Sequence, residues 1–339
     1  MKSSAKSKKK IVTITEGGLI KGLGHIYRSL FLAEELSKFG IVEFLIWGND
    51  IAIKKIKNKK FKVIKVNNIF QIQKNLLLRK PDIVIIDKFG VSIQLAKFIK
   101  TRLDAKLIIF GNSSSANRYA DLVVNAVVDS KFKNDPFHDK RSNTVCLKGP
   151  RHLVLNKKIY KLHNTYRHRN KLKIILLTFG GSDQSNLTSK VLEKLLNIDH
   201  NFKINIVLGP LFKFNDKLRK ILKKHKEQKR NIKIYKDIED VFKLMTEADL
   251  VITSPGSTMF ESFYIGSPTI AFYQSKLQKK IFNGFIMTYN LDDVKNFKNL
   301  ILTLYRNYHQ NKKRIDKLDI GGGKDKIIES ILNPAKIFL

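Results

Sequence analysis

Short apolar runs alternate along this chain with longer amphipathic stretches. Runs rich in Val, Ile, Leu and Phe at residues 10–15, 41–47, 61–66, 82–87, 105–110 and 121–125 read as strands. Between the first two, Leu30, Phe31, Leu32 and Leu36 fall on one side of a helix that reaches residue 39, and Gly40 supplies its C-terminal cap. Further helices are predicted over 69–79 and 91–101. Strands that alternate with helices imply a parallel sheet covered on both faces. Residues 149–170 break this rhythm: Gly149-Pro150-Arg151-His152 opens a polar, basic stretch that reads as an inter-domain linker. The alternation then restarts. Strands are predicted at 172–179, 202–208, 231–235, 249–253 and 267–273, and helices at 187–196, 218–226, 238–246, 260–265 and 292–306. After Gly321-Gly322-Gly323 a last helix covers 324–332. The expected class is α/β, with Rossmann-like halves at 1–155 and 170–320, a helical tail at 321–339, and parallel sheets facing a cleft between the halves.

Ligands of open α/β sheets bind beyond the carboxyl ends of the strands, where the glycine-rich loops fall. Three loops qualify: 17–25 with Gly22 and Gly24, then Gly180-Gly181-Ser182-Asp183-Gln184-Ser185-Asn186, then Ser254-Pro255-Gly256-Ser257-Thr258. A helix start leaves backbone N–H groups unpaired beside a positive dipole end, which suits an anion. Glycine admits close approach, and Ser257 and Thr258 add hydroxyls, a combination that suits a diphosphate. Lys21 and Arg28 could add charge to it, or serve equally as surface residues. Glu261, one turn into its helix, could accept from a diol such as a ribose. The competing reading of that stretch is a capping box, Thr258-x-x-Glu261, without any ligand.

His25 stands where a glycine loop meets a helix start, a position suited to a general base that deprotonates water or an acceptor hydroxyl. A histidine that only caps its helix is the alternative. Asp87 ends a strand and could hydrogen-bond His25 or a sugar hydroxyl, or serve simply as a strand-end aspartate.

The 339 residues are 43% hydrophobic and 10% aromatic, enough for two real cores. Cys146 is the one cysteine, so no internal disulfide forms, as in a reducing compartment. No apolar run reaches the roughly 18 residues of a membrane span, and no signal-peptide core follows the basic first nine residues. A cytoplasmic protein is expected. Lys and Arg number 65 against 29 Asp and Glu, a formal charge of +36. The lysines are spread over every predicted helix without interleaved aromatics, which argues against nucleic acid. A lysine-rich composition comes first, and peripheral contact with the anionic inner face of a membrane second.

Other chemistries lack their signatures. Gly22-x-Gly24 continues to Tyr27, so the dinucleotide fingerprint is incomplete, and no P-loop or nucleophile elbow occurs. No Asp-x-Asp and no metal-ligand spacing is present. No metal and no cofactor are expected, and a diphosphate leaving group would be neutralised by N–H donors, hydroxyls and basic side chains.

Three motifs carry a family resemblance. Gly22-Leu23-Gly24-His25-Ile26-Tyr27-Arg28 resembles the G-x-G-H-x-x-R loop of the PseG family, UDP-sugar hydrolases of pseudaminic acid synthesis. Gly180-Gly181-Ser182-Asp183 with Asn186-Leu187-Thr188 is similar to its G-G-[ST]-D-x-x-N-L motif. Pro255-Gly256-Ser257-Thr258-x-x-Glu261 resembles the element that family shares with MurG-like glycosyltransferases. The resemblance runs from about residue 11 to 278. It implies a GT-B fold, a UDP-sugar held by the C-terminal half, no metal, His25 as base, Glu261 as a ribose contact and Ser257–Thr258 as a diphosphate cradle. Departures fall on the hydrolase side. The family's D-H-Y-G reads Asp87-Lys88-Phe89-Gly90, its acidic pair reads Gly111-Asn112-Ser113, and its Asn-Gln pair reads Tyr273-Gln274. Transfer of a sugar from UDP to a glycan or lipid-linked acceptor is therefore the first expectation and UDP-sugar hydrolysis the second. A basic nucleic-acid- or membrane-binding protein without activity is the third.

Overall fold

The computed structural model describes residues 8–18, 22–111, 114–127, 136–227, 231–238 and 240–334. Residues 1–7 of the basic arm, Lys21, Asn112 and Ser113 lie outside the described residues. The chain divides into two compact units, Met1–Val154 with Gly321–Leu339, and Leu155–Ile320.

The first unit runs β1 (Lys9–Gly17), α1 (Gly24–Leu36), β2 (Gly40–Gly48), α2 (Asp50–Asn58), β3 (Lys62–Lys65), α3 (Ile69–Arg79), β4 (Ile83–Asp87), α4 (Ile93–Arg102), β5 (Lys106–Phe110), β6 (Leu122–Asn125), β7 (Phe137–Asp139) and β8 (Thr144–Lys148). Its sheet has the order β3-β2-β1-β4-β5-β6-β8-β7. The pairs are parallel except β7 with β8, a short antiparallel hairpin that the parallel-sheet reading did not foresee. α3 and α4 cover one face, where Ile72, Leu76, Leu95, Ala96 and Ile99 pack on Val12, Ile14, Val84 and Ile86.

The second unit runs β9 (Ile174–Thr178), α5 (Leu187–Leu196), β10 (Lys203–Leu208), α6 (Asn215–Lys224), β11 (Ile232–Lys236), α7 (Phe242–Glu247), β12 (Leu250–Thr253), α8 (Ser257–Ile265), β13 (Thr269–Phe272), α9 (Lys276–Phe282), β14 (Thr288–Tyr289), α10 (Phe297–Arg306) and α11 (Tyr308–Asp316). Its order, β11-β10-β9-β12-β13-β14, is parallel throughout. The final helix α12 (Lys324–Leu332) belongs to the first unit, with the N–H groups of Gly321 and Gly323 donating to Pro150 O and Arg151 O. A Cβ at Gly323 would come 2.8 Å from His152 Nδ1, which accounts for the glycine there.

One device recurs at the strand starts. Asp82, Asp121 and Asp249 each precede a strand, and each donates its own N–H to the neighbouring strand: to Lys10 O, Leu107 O and Ile174 O. Each carboxylate accepts in return from that neighbour, at Lys10 N (2.6 Å), Leu107 N (2.8 Å) and Ile174 N (2.8 Å). The Asp-Ile-Val, Asp-Leu-Val and Asp-Leu-Val sequences at these points are thus register pins.

Several expectations differ in detail. Residues 155–169, expected as linker, belong to the second unit: Ile159 and Tyr166 are buried, and Asn164 and Tyr166 donate N–H groups to Tyr264 O and Ile265 O at the end of α8. The predicted helix 292–306 begins only at Phe297, because Asn296 caps it through Asn299 N. α2 escaped prediction because only Ala52 and Ile56 face inward amid lysines. α9 and α11 are similarly short and lysine-rich.

Asp249 is the most heavily used pin: its carboxylate also accepts from Lys173 N and pairs with Arg169. Asp249→Ala is expected to lower stability by roughly 2–4 kcal/mol in urea denaturation, since buried N–H groups lose a charged acceptor. Asp82→Ala, at an exposed carboxylate, is expected to cost about 1 kcal/mol or less.

Candidate active site

In each sheet the strand order reverses between the first and fourth strands of the unit, at β1/β4 and at β9/β12. Such switch points are where the carboxyl ends of parallel strands leave room for a ligand. Each unit gathers its chemistry-bearing side chains there.

In the first unit the register sets Asp87 level with Thr15. Gly17 lets α1 approach β1, since a Cβ there would lie 2.5 Å from Ile26 Cγ1. That approach carries His25 and Arg28, one turn apart, onto the fully buried Asp87. His25 Nδ1 lies 2.7 Å from Asp87 Oδ1. Arg28 Nε donates to Oδ2 at 2.8 Å, its Nη2 also donates to Oδ1, and Ser29 Oγ donates to Oδ2 at 3.3 Å. Burial alone would raise the Asp87 carboxyl, but Arg28 and then His25 outweigh it and hold it well below the usual carboxylate range. Burial opposes the Arg28 charge too, and Asp87 reverses that, leaving the guanidinium above its ordinary value.

Arg28 Nη2 also lies 3.1 Å from Nδ1. With Asp87 accepting at Nδ1, that nitrogen carries the proton and a neutral ring holds its lone pair at Nε2. The ring of Phe89 stands edge-on to the imidazole, centroids 4.5 Å apart. Glu16 accepts from Phe89 N at 2.7 Å and so pins the loop that carries that ring. The Arg28 guanidinium lies 5.7 Å from the Phe110 ring centroid. Gly22 takes a left-handed φ of 69°, and its carbonyl accepts from Gly18 N, folding the glycine loop on itself. Gly24 begins α1, which has no side-chain cap.

In the second unit the two helix starts at the switch point differ. Asp183, buried and at φ 43°, accepts from Leu187 N (2.7 Å) and Thr188 N (2.9 Å), so the first donors of α5 are already satisfied. Burial pushes the Asp183 carboxyl up, against the pull of those N–H groups. Asn186 takes the left-handed N-cap position without capping by its side chain. Gly180 has φ 75°, and the end of β10 presses on this loop: a Cβ at Gly209 would meet Gly180 O at 2.3 Å and Gly181 O at 2.5 Å. Ser182 is buried in the same turn.

The start of α8 is unspent. Its N-cap is Gly256, at φ 156°, and no side chain caps it. Thr258 therefore lies inside the first turn, and the capping box with Glu261 does not form. Pro255 is buried, Ser257 exposed and Thr258 half-buried. Glu261 has no cation or hydrogen-bond partner among the described residues, and loss of water pushes its carboxyl up to about 7. Gln274 ties the loops together: Nε2 donates to Phe179 O (2.9 Å) and Ser254 Oγ (2.8 Å), while its carbonyl accepts from Ser185 Oγ. Gln278 Nε2 donates to Pro255 O at 3.0 Å.

The first cluster thus brings together His25, Asp87 and Arg28 with the glycine loop. The second brings together Gly180–Asn186, Pro255–Glu261 and Gln274. Arg28, expected near a diphosphate, is committed to Asp87. Glu16, Ser29, Phe110 and Gln278 were not singled out by sequence reasoning, and Phe89 only as a departure from the family motif. Only Glu16 carried a signal, an acid closing an otherwise apolar strand. Among the described residues no group of three or more His, Cys, Asp and Glu is placed to hold a metal.

Known proteins agree with this architecture. Uncharacterized protein MJ1062 of Methanocaldococcus jannaschii is 43% identical over 330 residues, 96% of this chain and 66% of that protein, so the chain spans just under two thirds of that relative. Spore coat polysaccharide biosynthesis protein SpsG of Bacillus subtilis is 27% identical over 277 residues, 78% of this chain and 77% of that protein. UDP-2,4-diacetamido-2,4,6-trideoxy-beta-L-altropyranose hydrolase of Campylobacter jejuni is 24% identical over 248 residues, 72% and 84% of the two chains. Among solved structures, Acinetobacter baumannii MurG matches with a TM-score of 0.61 at 15% identity over 95% of this chain and 99% of its own. Anabaena Alr3699/HepE in complex with UDP-glucose matches at 0.59 and 13% identity over 96% and 100%. These likenesses show the fold, two parallel-sheet α/β domains as in the GT-B glycosyltransferases. A model described as Protein of unknown function (DUF354) matches residues 147–336, more than half of the chain, which therefore belongs to that family.

Proposed function

We propose that this chain is a metal-independent, UDP-sugar-using enzyme, a glycosyltransferase of surface-polysaccharide or nonulosonic-acid biosynthesis. The observation that carries the reading is the pairing of a buried Asp87 with His25 Nδ1. It leaves Nε2 as the proton acceptor, the arrangement of a general base. The proposed step is a single displacement. Nε2 takes the proton of an acceptor hydroxyl, whose oxygen forms a bond to the anomeric carbon. The bond from that carbon to the diphosphate breaks, and UDP leaves with the electron pair. Charge on the leaving diphosphate is met by the unspent N–H groups of α8 and the hydroxyls of Ser257 and Thr258. Glu261 accepts from the ribose diol. Asp87 and Arg28 act as positioning residues. Gln274 and Asp183 hold the loops in shape. SpsG, by its name a polysaccharide-biosynthesis protein, and the HepE complex with UDP-glucose support the substrate class. The second reading, hydrolysis of a UDP-sugar with water as nucleophile, is supported by the Campylobacter hydrolase.

A panel of nucleotide sugars, assayed for free UDP with and without glycan or lipid-linked acceptors, separates these readings. Acceptor-dependent release is expected, and release at the same rate without acceptor would replace transfer by hydrolysis. His25→Ala is expected to abolish turnover while UDP binding persists. A variant that still turns over would end the role given to His25. Asp87→Asn, its fold checked by circular dichroism, is expected to lower kcat roughly 10³–10⁴-fold through the lost tautomer.

Glu261 sets a pH dependence. Its carboxyl is raised in the folded state, so its contribution to stability is present below the ordinary carboxyl range and lost as pH rises through about 7. UDP requires the ionised form, so the ligand-free protein is expected to gain thermal stability from pH 8 to pH 5, while UDP affinity falls over the same interval. Glu261→Gln is expected to flatten the Glu261 part of both slopes. Titrations by calorimetry and melting that leave the slopes of wild type and variant identical would remove Glu261 from the ribose.

A further inference from the structure

We propose that the outer face of α3, with the adjoining surface of α4, docks this protein onto an anionic lipid bilayer. α3 turns Ile72 and Leu76 into the core and leaves residues 70, 74, 77 and 78 outside. That i, i+4, i+7, i+8 spacing places them on one stripe about 100° wide, a face that in water should be polar. Here three of the four are Phe70, Leu77 and Leu78, at 73%, 49% and 72% exposure. Phe70 and Leu78 are the two most exposed large hydrophobic side chains among the described residues. Ile93, at the start of the neighbouring α4, is exposed as well.

The charge carried by these two helices themselves has a single sign. Residues 69–81 and 88–103 contain no Asp or Glu and seven Lys or Arg. Arg79 and Lys100 are paired with Glu43 and Asp121. Lys74, Lys80, Lys97 and Arg102 have no ion pair among the described residues. Lys74 sits within the apolar stripe itself. An apolar stripe rimmed by unpaired cations matches the interface of an anionic bilayer, where rings and aliphatic chains enter the acyl boundary and ammonium groups meet phosphates. The same charges disfavour a second copy of this chain on the face, because cation would meet cation. No described helix is long and apolar enough to cross a membrane, so the contact is side-on. The inference stands apart from the enzymatic reading, and its test needs no turnover.

Full-length protein is mixed with phosphatidylglycerol–phosphatidylcholine vesicles or with phosphatidylcholine vesicles alone and sedimented. Binding to the anionic vesicles is expected, with a part that survives high salt. The exposed-site variant Phe70→Ser/Leu77→Ser/Leu78→Ser is expected to lower partitioning at least about 30-fold and to remove the salt-resistant part. Lys74→Glu/Lys97→Glu is expected to weaken it as well. An equal change of charge on α6, Lys220→Glu/Lys223→Glu, is expected to change partitioning less than about 3-fold. The proposal is overturned if the apolar triple variant binds like wild type, or if the α6 variant loses as much. It is overturned also if sedimentation velocity finds a wild-type dimer that the apolar triple variant converts to monomer.

Discussion

A buried carboxylate at the end of a central strand is costly unless several donors meet it, and in the first unit Asp87 has them. Its four acceptor directions receive Arg28 twice, Ser29 and His25. All three partners lie in one helical turn of α1. The helix can reach them there only because Gly17 admits Ile26 against β1. Packing, electrostatics and chemistry are therefore one constraint. The close approach sets the helix, the helix sets the donors, and the donors keep Asp87 ionised. Asp87 in turn presents the imidazole with a defined tautomer. A change at Gly17 would reach His25 without touching it.

The second unit solves the opposite problem at an equivalent place. Two helix starts flank its switch point, and each brings N–H groups that need partners. Asp183 closes the start of α5, whereas Gly256 leaves that of α8 open. One positive end remains, held in place by Gln274 and Gln278, which bind the loops following β9, β12 and β13 to one another. A rigid cradle with unspent donors is preorganised for an anion. Glu261, on the same helix, lacks a partner where a neutral diol would supply one. The same side-chain type thus stands in contrasting places: Asp183 closes an anion site, and Glu261 has no hydrogen-bond partner among the described residues.

Much of this was legible in the chain. The central strands of both sheets are buried on both faces, so they read as unbroken apolar runs, and the alternation fixed the parallel class. α2 was not legible, because a helix that buries only Ala52 and Ile56 under a coat of lysines has almost no apolar period. The β7–β8 hairpin was hidden for a related reason: at a sheet edge, a strand of three residues, Phe137, His138 and Asp139, suffices and shows no apolar run. At the site, the loops were visible and the pairings were not. His25 and Asp87 are 62 residues apart, and only the register of β1 with β4 makes them neighbours. Arg28 read as a basic side chain near glycines, suited to a phosphate or to the surface. The register gives it Asp87 instead. Likewise Asp183 read as a ligand because its loop resembles one, while its own helix takes up its oxygens.

Under the proposed function, the environment of His25 bears on which nucleophile it would serve as base. A hydrolase must keep a water beside its base, and water needs two or more polar partners to stay. The ring of Phe89 offers none and lies edge-on to the imidazole. Glu16 fixes that ring through the Phe89 N–H, so the apolar wall does not swing aside freely. Asp87, the nearest strong acceptor, is fully engaged by its own partners. A hydroxyl that arrives on a larger acceptor is oriented by the rest of that acceptor and needs no such cage. Among the described residues, this apolar neighbour of the imidazole supports the proposed order, in which transfer to an alcohol stands ahead of hydrolysis.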